Sequence, residues 1–494
     1  MGTNMNGRES RGRSSKKNTM RSSVKVAKGT RDFNPQEMRT RTQTFDIVRR
    51  VFSRHGAVTI DTPIFELRQI LQNKYGEDSK LIYDLADHSG DSGEKLSLRY
   101  DLTVPFARYV ANHNVKAMKR YHIGKVYRRD RPAIERGRYR EFYQCDLDIA
   151  GEYPLMVPDA EVIYVLCDIL GELSSISKWH EEQLGSYKIK LNHRGILDAI
   201  FMTCGVTNEN LRPVSSSIDK LDKLPWENVK TELVETKGIP EDVADRIGKY
   251  CNQSGHPYEM LKVLREDTAL AENELACRSF DAMEKLFEYL DAYDVLDRIS
   301  FDLSLARGLD YYTGVIFEAI LEEGKTKVGS IGAGGRYDEL VGTFKGQRIP
   351  CVGCSLGIER VMTCMIEAEK AKTKATQSIQ RENDTDVLVV TTGKGKDGVN
   401  MVVRMKTASE LWRAGLNAEF CYNANWDFTK QRMSAAKAGI PILVICGEEE
   451  SEKGTISIKD TRVNVQKEFA RKKLVDGVRE ALEGGWTVQS DTAS

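Results

Sequence analysis

Residues 116–140 read KAMKRYHIGKVYRRDRPAIERGRYR, and residues 141–150 continue as EFYQCDLDIA. The first stretch carries basic residues at 116, 119, 120, 125, 128, 129, 131, 136, 138 and 140 against only Asp130 and Glu135. A helix would spread those charges all round, but Pro132 and Gly137 break a helical run, so the pattern predicts strand, loop, strand with arginines gathered in the loop. Guanidinium forks grip phosphate oxygens in pairs, and such a loop can fold several of them onto one triphosphate. The blander alternative is a solvated basic loop.

That local charge stands out because the chain as a whole has none. Its 494 residues hold 73 Lys plus Arg and 73 Asp plus Glu, a formal net charge of 0, with a hydrophobic fraction of 40%. A uniformly basic nucleic-acid coat is excluded, and any polyanion must bind a patch. The length allows about three domains. No run approaches the roughly 18 apolar residues of a membrane span, and none near the N-terminus resembles a secretory signal, so the expectation is a soluble intracellular protein without a membrane partner. Asn6 stands where a myristoylation signal needs Ser or Thr. The ten cysteines lack a framework spacing and read as reduced, buried thiols. Cys351 and Cys354 form a lone C-x-x-C with no nearby His, which reads as core thiols, and no metal site is expected.

Apolar periodicity sets the organisation. Residues 1–23, rich in Arg, Ser, Asn and Gly, read as a disordered basic tail whose alternatives are a transit peptide or an RNA-binding arm. A helix is predicted from residue 36 to 55, then a strand containing Pro63, strands at 96–98 and 117–127 around a helix at 104–112, and another strand at 142–150. A long helix over 159–177 precedes a strand at 187–191 and a helix at 195–203. Residues 206–296 read as a helical insertion, strands return at 300–305 and 314–321, and a helix begins near 357. The stretch 329–338 is glycine-rich but fits neither a P-loop nor a dinucleotide fingerprint, and reads as a turn whose glycines let backbone approach a small ligand or another strand. Residues 24–366 form one domain, 367–384 a linker, 385–486 a second domain with β-α-β-α-β alternation, and 487–494 a tail.

Five strings, in order, carry a family resemblance: Lys28-Gly-Thr-Arg-Asp-Phe33, Gly137-Arg-Tyr-Arg-Glu-Phe-Tyr-Gln144, Arg307-Gly-Leu-Asp-Tyr-Tyr312, Gly334-Gly-Arg-Tyr-Asp338 and Gly353-Cys-Ser-Leu-Gly-Ile-Glu-Arg360. Together they resemble the histidyl-tRNA synthetases, class II aminoacyl-tRNA synthetases, over residues 24–485. The third string is particular to the histidine enzymes. The resemblance implies an α+β class II core, an antiparallel six-stranded sheet flanked by helices, with a helical insertion and a C-terminal α/β anticodon-binding domain. It implies a homodimer built on the helix from residue 36 and Pro63, and a cytoplasmic location, with an additional mitochondrial form left open by the basic tail.

The same resemblance distributes roles. Arg128 and Arg307 are the expected catalytic cations at the α-phosphate. Asp130, Arg138, Phe142 and Arg360 join Arg128 around ATP, which arrives with Mg2+ as a substrate complex rather than as a tightly bound cofactor. Asp101, Leu102, Thr103 and Gln144 fall at the α-amino group of histidine, and Asp148, Tyr311, Tyr312 and Tyr337 around its side chain, with Arg128 and Arg307 at its carboxylate. Asp130 and Asp148 depart from the family, where Glu is common, and so offer shorter arms. Lys430, Gln431, Arg432 and Lys459 are candidate contacts to histidine tRNA. The rival readings are a catalytically silent paralogue, disfavoured by the retained arginines and C-terminal domain, and a prolyl or threonyl enzyme, disfavoured by residues 307–312.

Overall fold

The computed structural model describes residues 24–72, 74–86, 94–134, 137–176, 187–307, 311–321, 329–376, 381, 384–392, 399–484 and 486. Both expected tails and residues 308–310 therefore lie outside the described residues. In chain order the first strands are β1 (Val58–Thr59), β2 (Phe65–Leu67), β3 (Leu96–Leu98), β4 (Met118–Tyr127), β5 (Glu141–Ala150), β6 (Tyr187–His193), β7 (Ser254–Gly255), β8 (Ile299–Asp302), β9 (Val315–Leu321), β10 (Gly332–Arg336) and β11 (Cys351–Gly357). Nine of them form one sheet in the order β1-β4-β5-β11-β10-β9-β6-β8-β7. The six from β4 to β6 are antiparallel neighbours, as the class II expectation requires. β1 extends the sheet in parallel beyond β4, and β8 and β7 extend it beyond β6.

Side-chain alternation along β5 gives the sheet two unlike faces. Cys145, Leu147 and Ile149 enter the main core with Ile47, Val48, Val51 and Phe52 of the Pro35–Arg54 helix and with the Val157–Ile176 helix. Phe142, Gln144, Asp146 and Asp148 point to the other face. The Pro35–Arg54 helix starts where its sequence dictates: Asn34 accepts the Glu37 N–H at 2.8 Å, the Glu37 carboxylate accepts the Asn34 N–H at 3.1 Å, and Pro35 follows the cap.

Several expectations need correction. Residues 332–336, read as part of a turn, are a central strand. Glycine is needed there because strands and rings crowd in: a Cβ on Gly334 would lie 2.1 Å from the Gly353 carbonyl and 2.5 Å from the Phe317 ring. The strand expected around Pro63 shrinks to β1, with Pro63 in the coil before β2, since proline has no N–H for a ladder. β7 interrupts the helices of residues 206–296, and the Ile358–Thr376 helix runs into the stretch read as linker. Cys351 and Cys354, three apart on β11, pack into different hydrophobic clusters and so point to opposite sides.

The second sheet contains β12 (Val387–Thr391), β13 (Ala418–Phe420), β14 (Ile442–Cys446), β15 (Thr455–Asp460) and β16 (Val465–Ala470), in the order β13-β12-β14-β15-β16. The three parallel strands are those read from the sequence, and the antiparallel β15–β16 hairpin is added at one edge. Among the described residues, no helix is long and apolar enough to cross a membrane.

Candidate active site

The polar face of β5 lies between β4 and β11, and register fixes what meets there. Gln144 opposes Gly124 and Gly357, Asp146 opposes His122 and Ser355, and Asp148 opposes Arg120 and Gly353. Glycine clears the floor of this face. A Cβ on Gly353 would sit 2.0 Å from Asp148 Oδ1, and one on Gly335 would sit 3.0 Å from the Tyr312 ring.

At one end the expected arginines converge. The Arg128 guanidinium lies 4.2 Å from the Tyr100 ring centroid and 5.2 Å from that of Phe142, and its Nε donates to the Tyr100 carbonyl at 3.1 Å. Arg307 pairs with the Glu318 carboxylate and donates to Ser330 Oγ at 3.2 Å, while Arg360 donates to the Ser330 carbonyl. Burial lowers the Arg360 pKa to about 10, with help from Arg307, Arg138 and Arg128. Three neighbouring guanidiniums thus disfavour the charge on Arg360, a cost that a bound anion relieves. Arg138 and Asp130 pair with each other at 2.9 Å, so in this state Asp130 serves the loop. Gly137, at φ +66, closes that loop against Arg360, whose Cα would meet a Cβ there at 3.0 Å.

Toward the other end the site turns acidic. Buried Asp101 accepts from Tyr75 Oη at 2.9 Å and from the Val104 N–H at 3.0 Å, and burial raises its pKa. Leu102 is buried and Thr103 opens the Thr103–His113 helix beside it. Gln144 Nε2 donates to Ser355 Oγ at 2.7 Å while its Oε1 meets no donor among the described residues. Asp148, read as a contact to the ligand ring, has partners of its own: Tyr337 donates to its Oδ1, and Arg120 Nη2 lies 2.7 Å from its Oδ2. The two form an ion pair without a hydrogen bond among the described residues, and Nη2 donates to the Leu102 carbonyl at 3.0 Å. Tyr311 and Tyr312 stand edge to face, centroids 4.9 Å apart, and burial pushes both hydroxyls up, keeping them protonated.

Five residues here were not singled out from the sequence: Tyr75, Arg120, Asp146, Glu318 and Ser355. Arg120 counted only as one more charge in a basic run, although its place in a period-2 strand puts it on the polar face. Asp146 is missed for the opposite reason, being an ordinary acid between two noted neighbours. Burial, and after it the Asp148 charge, raises its pKa to about 8 against the pull of Arg120.

A cluster of cations beside an acidic pocket on an antiparallel sheet can be compared with known proteins. The sequence profile described as histidyl-tRNA synthetase matches residues 29–361, and that of the anticodon binding domain matches residues 386–481. The chain belongs to the histidyl-tRNA synthetase family. It is 48% identical over 459 residues to a cytoplasmic histidine–tRNA ligase of Dictyostelium discoideum, covering 93% of this chain and 91% of that one. With a mitochondrial histidine–tRNA ligase of Homo sapiens it shares 46% identity over 93% of this chain and 88% of the relative. The crystal structure of histidyl-tRNA synthetase from Nostoc sp. PCC 7120 superposes with a TM-score of 0.74 at 29% identity, covering 92% of this chain and 99% of that one. The larger sheet with its helices is thus the class II core of the family, and the second sheet is its anticodon-binding domain.

In that domain the structure separates the four RNA-contact candidates. Lys430 and Arg432 are exposed on the Phe428–Ala438 helix, and Lys459 is half-buried on β15. Gln431 must be withdrawn. It is fully buried, donates to the Thr391 and Trp426 carbonyls at 3.1 and 2.9 Å, and accepts the Thr391 N–H at 3.1 Å, which leaves its amide nothing to offer RNA.

Proposed function

We propose that this chain is a histidine–tRNA ligase, which joins histidine and ATP to give histidyl-adenylate and pyrophosphate and then passes the histidyl group to the 3′ end of histidine tRNA. The observation that carries the reading is the adjacency of Arg128, Arg138, Arg307 and Arg360 to two buried acceptors, Asp101 in the turn before the Thr103–His113 helix and Gln144 on β5. An ammonium held at the acidic end turns the amino-acid carboxylate toward an α-phosphate held at the basic end. Arg128 and Arg307 then face the charge that grows as carboxylate attacks phosphorus, where preorganised donors act most strongly. Arg138, Phe142, Arg360 and the shorter Asp130 hold the rest of the nucleotide, whose Mg2+ comes with it as substrate. Leu102, Thr103, Asp148, Tyr311, Tyr312 and Tyr337 shape the histidine pocket, and Lys430, Arg432 and Lys459 face the tRNA.

The active assembly is a homodimer, and exposed Val58, Ile64 and Phe65 flanking Pro63 offer the apolar surface that such an interface covers. Cytoplasmic and mitochondrial relatives support a cytoplasmic enzyme with an organellar form. Amino-acid-dependent ATP–pyrophosphate exchange, run with each of the twenty amino acids, tests the reading. Histidine alone should support exchange; activity with proline or threonine instead, or with none, overturns it.

A further inference from the structure

The second domain holds a buried cation that no acid balances. Arg404, on the Val399–Arg413 helix, is 1% exposed, and among the described residues no carboxylate pairs with it. It donates to neutral oxygens instead: Nε and Nη2 to Thr391 Oγ1 at 2.9 and 2.7 Å, and Nη1 to the Cys421 and Asn423 carbonyls at 2.6 and 3.2 Å. Gln431 adds a third tie, to the Trp426 carbonyl at 2.9 Å. Loop 421–426, which leaves the carboxyl end of β13, is thus fixed at three carbonyls by two buried side chains. The carboxyl ends of parallel strands are where open α/β sheets take their ligands.

What this fixed loop presents is aromatic. Tyr422 is 80% exposed, against 52% for Phe65, the next most exposed aromatic among the described residues. Its ring stands edge to face with Phe420, centroids 4.8 Å apart, and Phe420 lies 6.2 Å from Trp412, whose indole donates to the Ala418 carbonyl at 2.7 Å. Burying a cation without an acid is costly, and the loop above it carries no acid at 422–426, while residues 402–438 hold six basic side chains against three acidic ones. Taking the proposed ligase reading as its base, we propose that Tyr422 is the platform on which an unpaired base of the tRNA stacks, with Arg404 the positioning residue that sets the loop and lends it positive potential. Every base has a π face, and Lys430 and Arg432, on the helix that follows the loop, supply the phosphate contacts that accompany such stacking. Exposed Asn423 and Asn425 border the ring, and polar neighbours suit a nucleotide better than an apolar protein face.

The test is charging of histidine tRNA by the full chain, with histidine-dependent pyrophosphate exchange as the control. Tyr422→Ala should raise the tRNA KM by about 5- to 150-fold, the range for losing one base–aromatic stack, with exchange unchanged. Tyr422→Phe, which keeps the ring, should restore it. Stacking releases no counterion, so the slope of log KM against log salt should be the same in Tyr422→Ala and parent; a shallower slope would mark a lost phosphate contact and overturn stacking. Arg404→Lys keeps the charge and loses the fork. It should raise the tRNA KM of the parent but add nothing to Tyr422→Ala, a coupling that a merely structural role would not show. An unchanged tRNA KM in Tyr422→Ala, or a loss that Tyr422→Phe does not restore, overturns the platform, as does a changed particle mass with tRNA affinity intact, which marks a protein contact. Additive losses overturn the role of Arg404. If the unaltered enzyme shows no histidine-dependent exchange, the ligase reading fails instead, which is a distinguishable result.

Discussion

Arg307 and Arg360 share Ser330, one through its hydroxyl and the other through its carbonyl, so two like charges are held together before any phosphate arrives. Arg307→Ala should therefore fold and bind histidine, while adenylate formation falls by about 10²- to 10³-fold, the usual cost of one preorganised donor. Exchange kinetics near normal would show that this cation is structural. Arg128→Ala should cost at least as much, since Arg128 is both stacked and hydrogen-bonded in place. Arg120 makes a different prediction. Fully buried against Asp148 and 4.4 Å from the Phe106 ring, it leaves a buried carboxylate without its cation when replaced by Met. Thermal or denaturant unfolding of Arg120→Met should report a loss of about 3–5 kcal/mol. A variant as stable as the parent would mean that Asp148 is neutral without Arg120.

Among elements, the Arg194–Thr203 helix has an unusual start: His193 Nδ1 accepts the Gly195 N–H at 3.1 Å, so the cap works only with a neutral ring. Burial, then Arg336, lowers the His193 pKa to about 4. Below pH about 6.5 the unfolded chain takes up a proton that the folded chain refuses, so His193 contributes stability at neutral pH that is lost as pH falls toward 4. His193→Asn, which can still cap, should flatten the rise in stability between pH 4.5 and 6.5 relative to the parent; identical slopes would refute the titration. Buried His122, also lowered to about 4, titrates in both proteins and cancels from the difference. Such devices show where sequence reading succeeds. β4, β5 and the arginine loop were legible because alternation, Pro132 and Gly137 are local signals. β10 and β11 were not, because glycines that admit Phe317 and Asp148 look like turn residues until their cross-strand neighbours are known. The arginine end was legible through its charge, whereas Asp146 and Arg120 depend on burial, which one strand cannot report about its neighbours.

At the scale of the whole molecule, the two larger sheets have separate hydrophobic cores. The adenylation candidates all precede residue 361, so a chain ending at Thr376 should keep histidine-dependent exchange within severalfold while charging tRNA poorly. Full-rate charging would remove the RNA role from the second domain, and the particle mass must be measured alongside to exclude a lost dimer as the cause. The larger sheet is nonetheless not continuous in sequence. β5 pairs with β11, Ala150 opposite Cys351, so the strand carrying Gln144, Asp146 and Asp148 waits for a partner about 200 residues downstream. At the ribosome's pace of roughly 5–20 residues per second, the edge of β5 stays open for about 10–40 s after it emerges. During that interval one edge of β5 is open beside other nascent chains, a hazard of aggregation that falls within the protein's own synthesis.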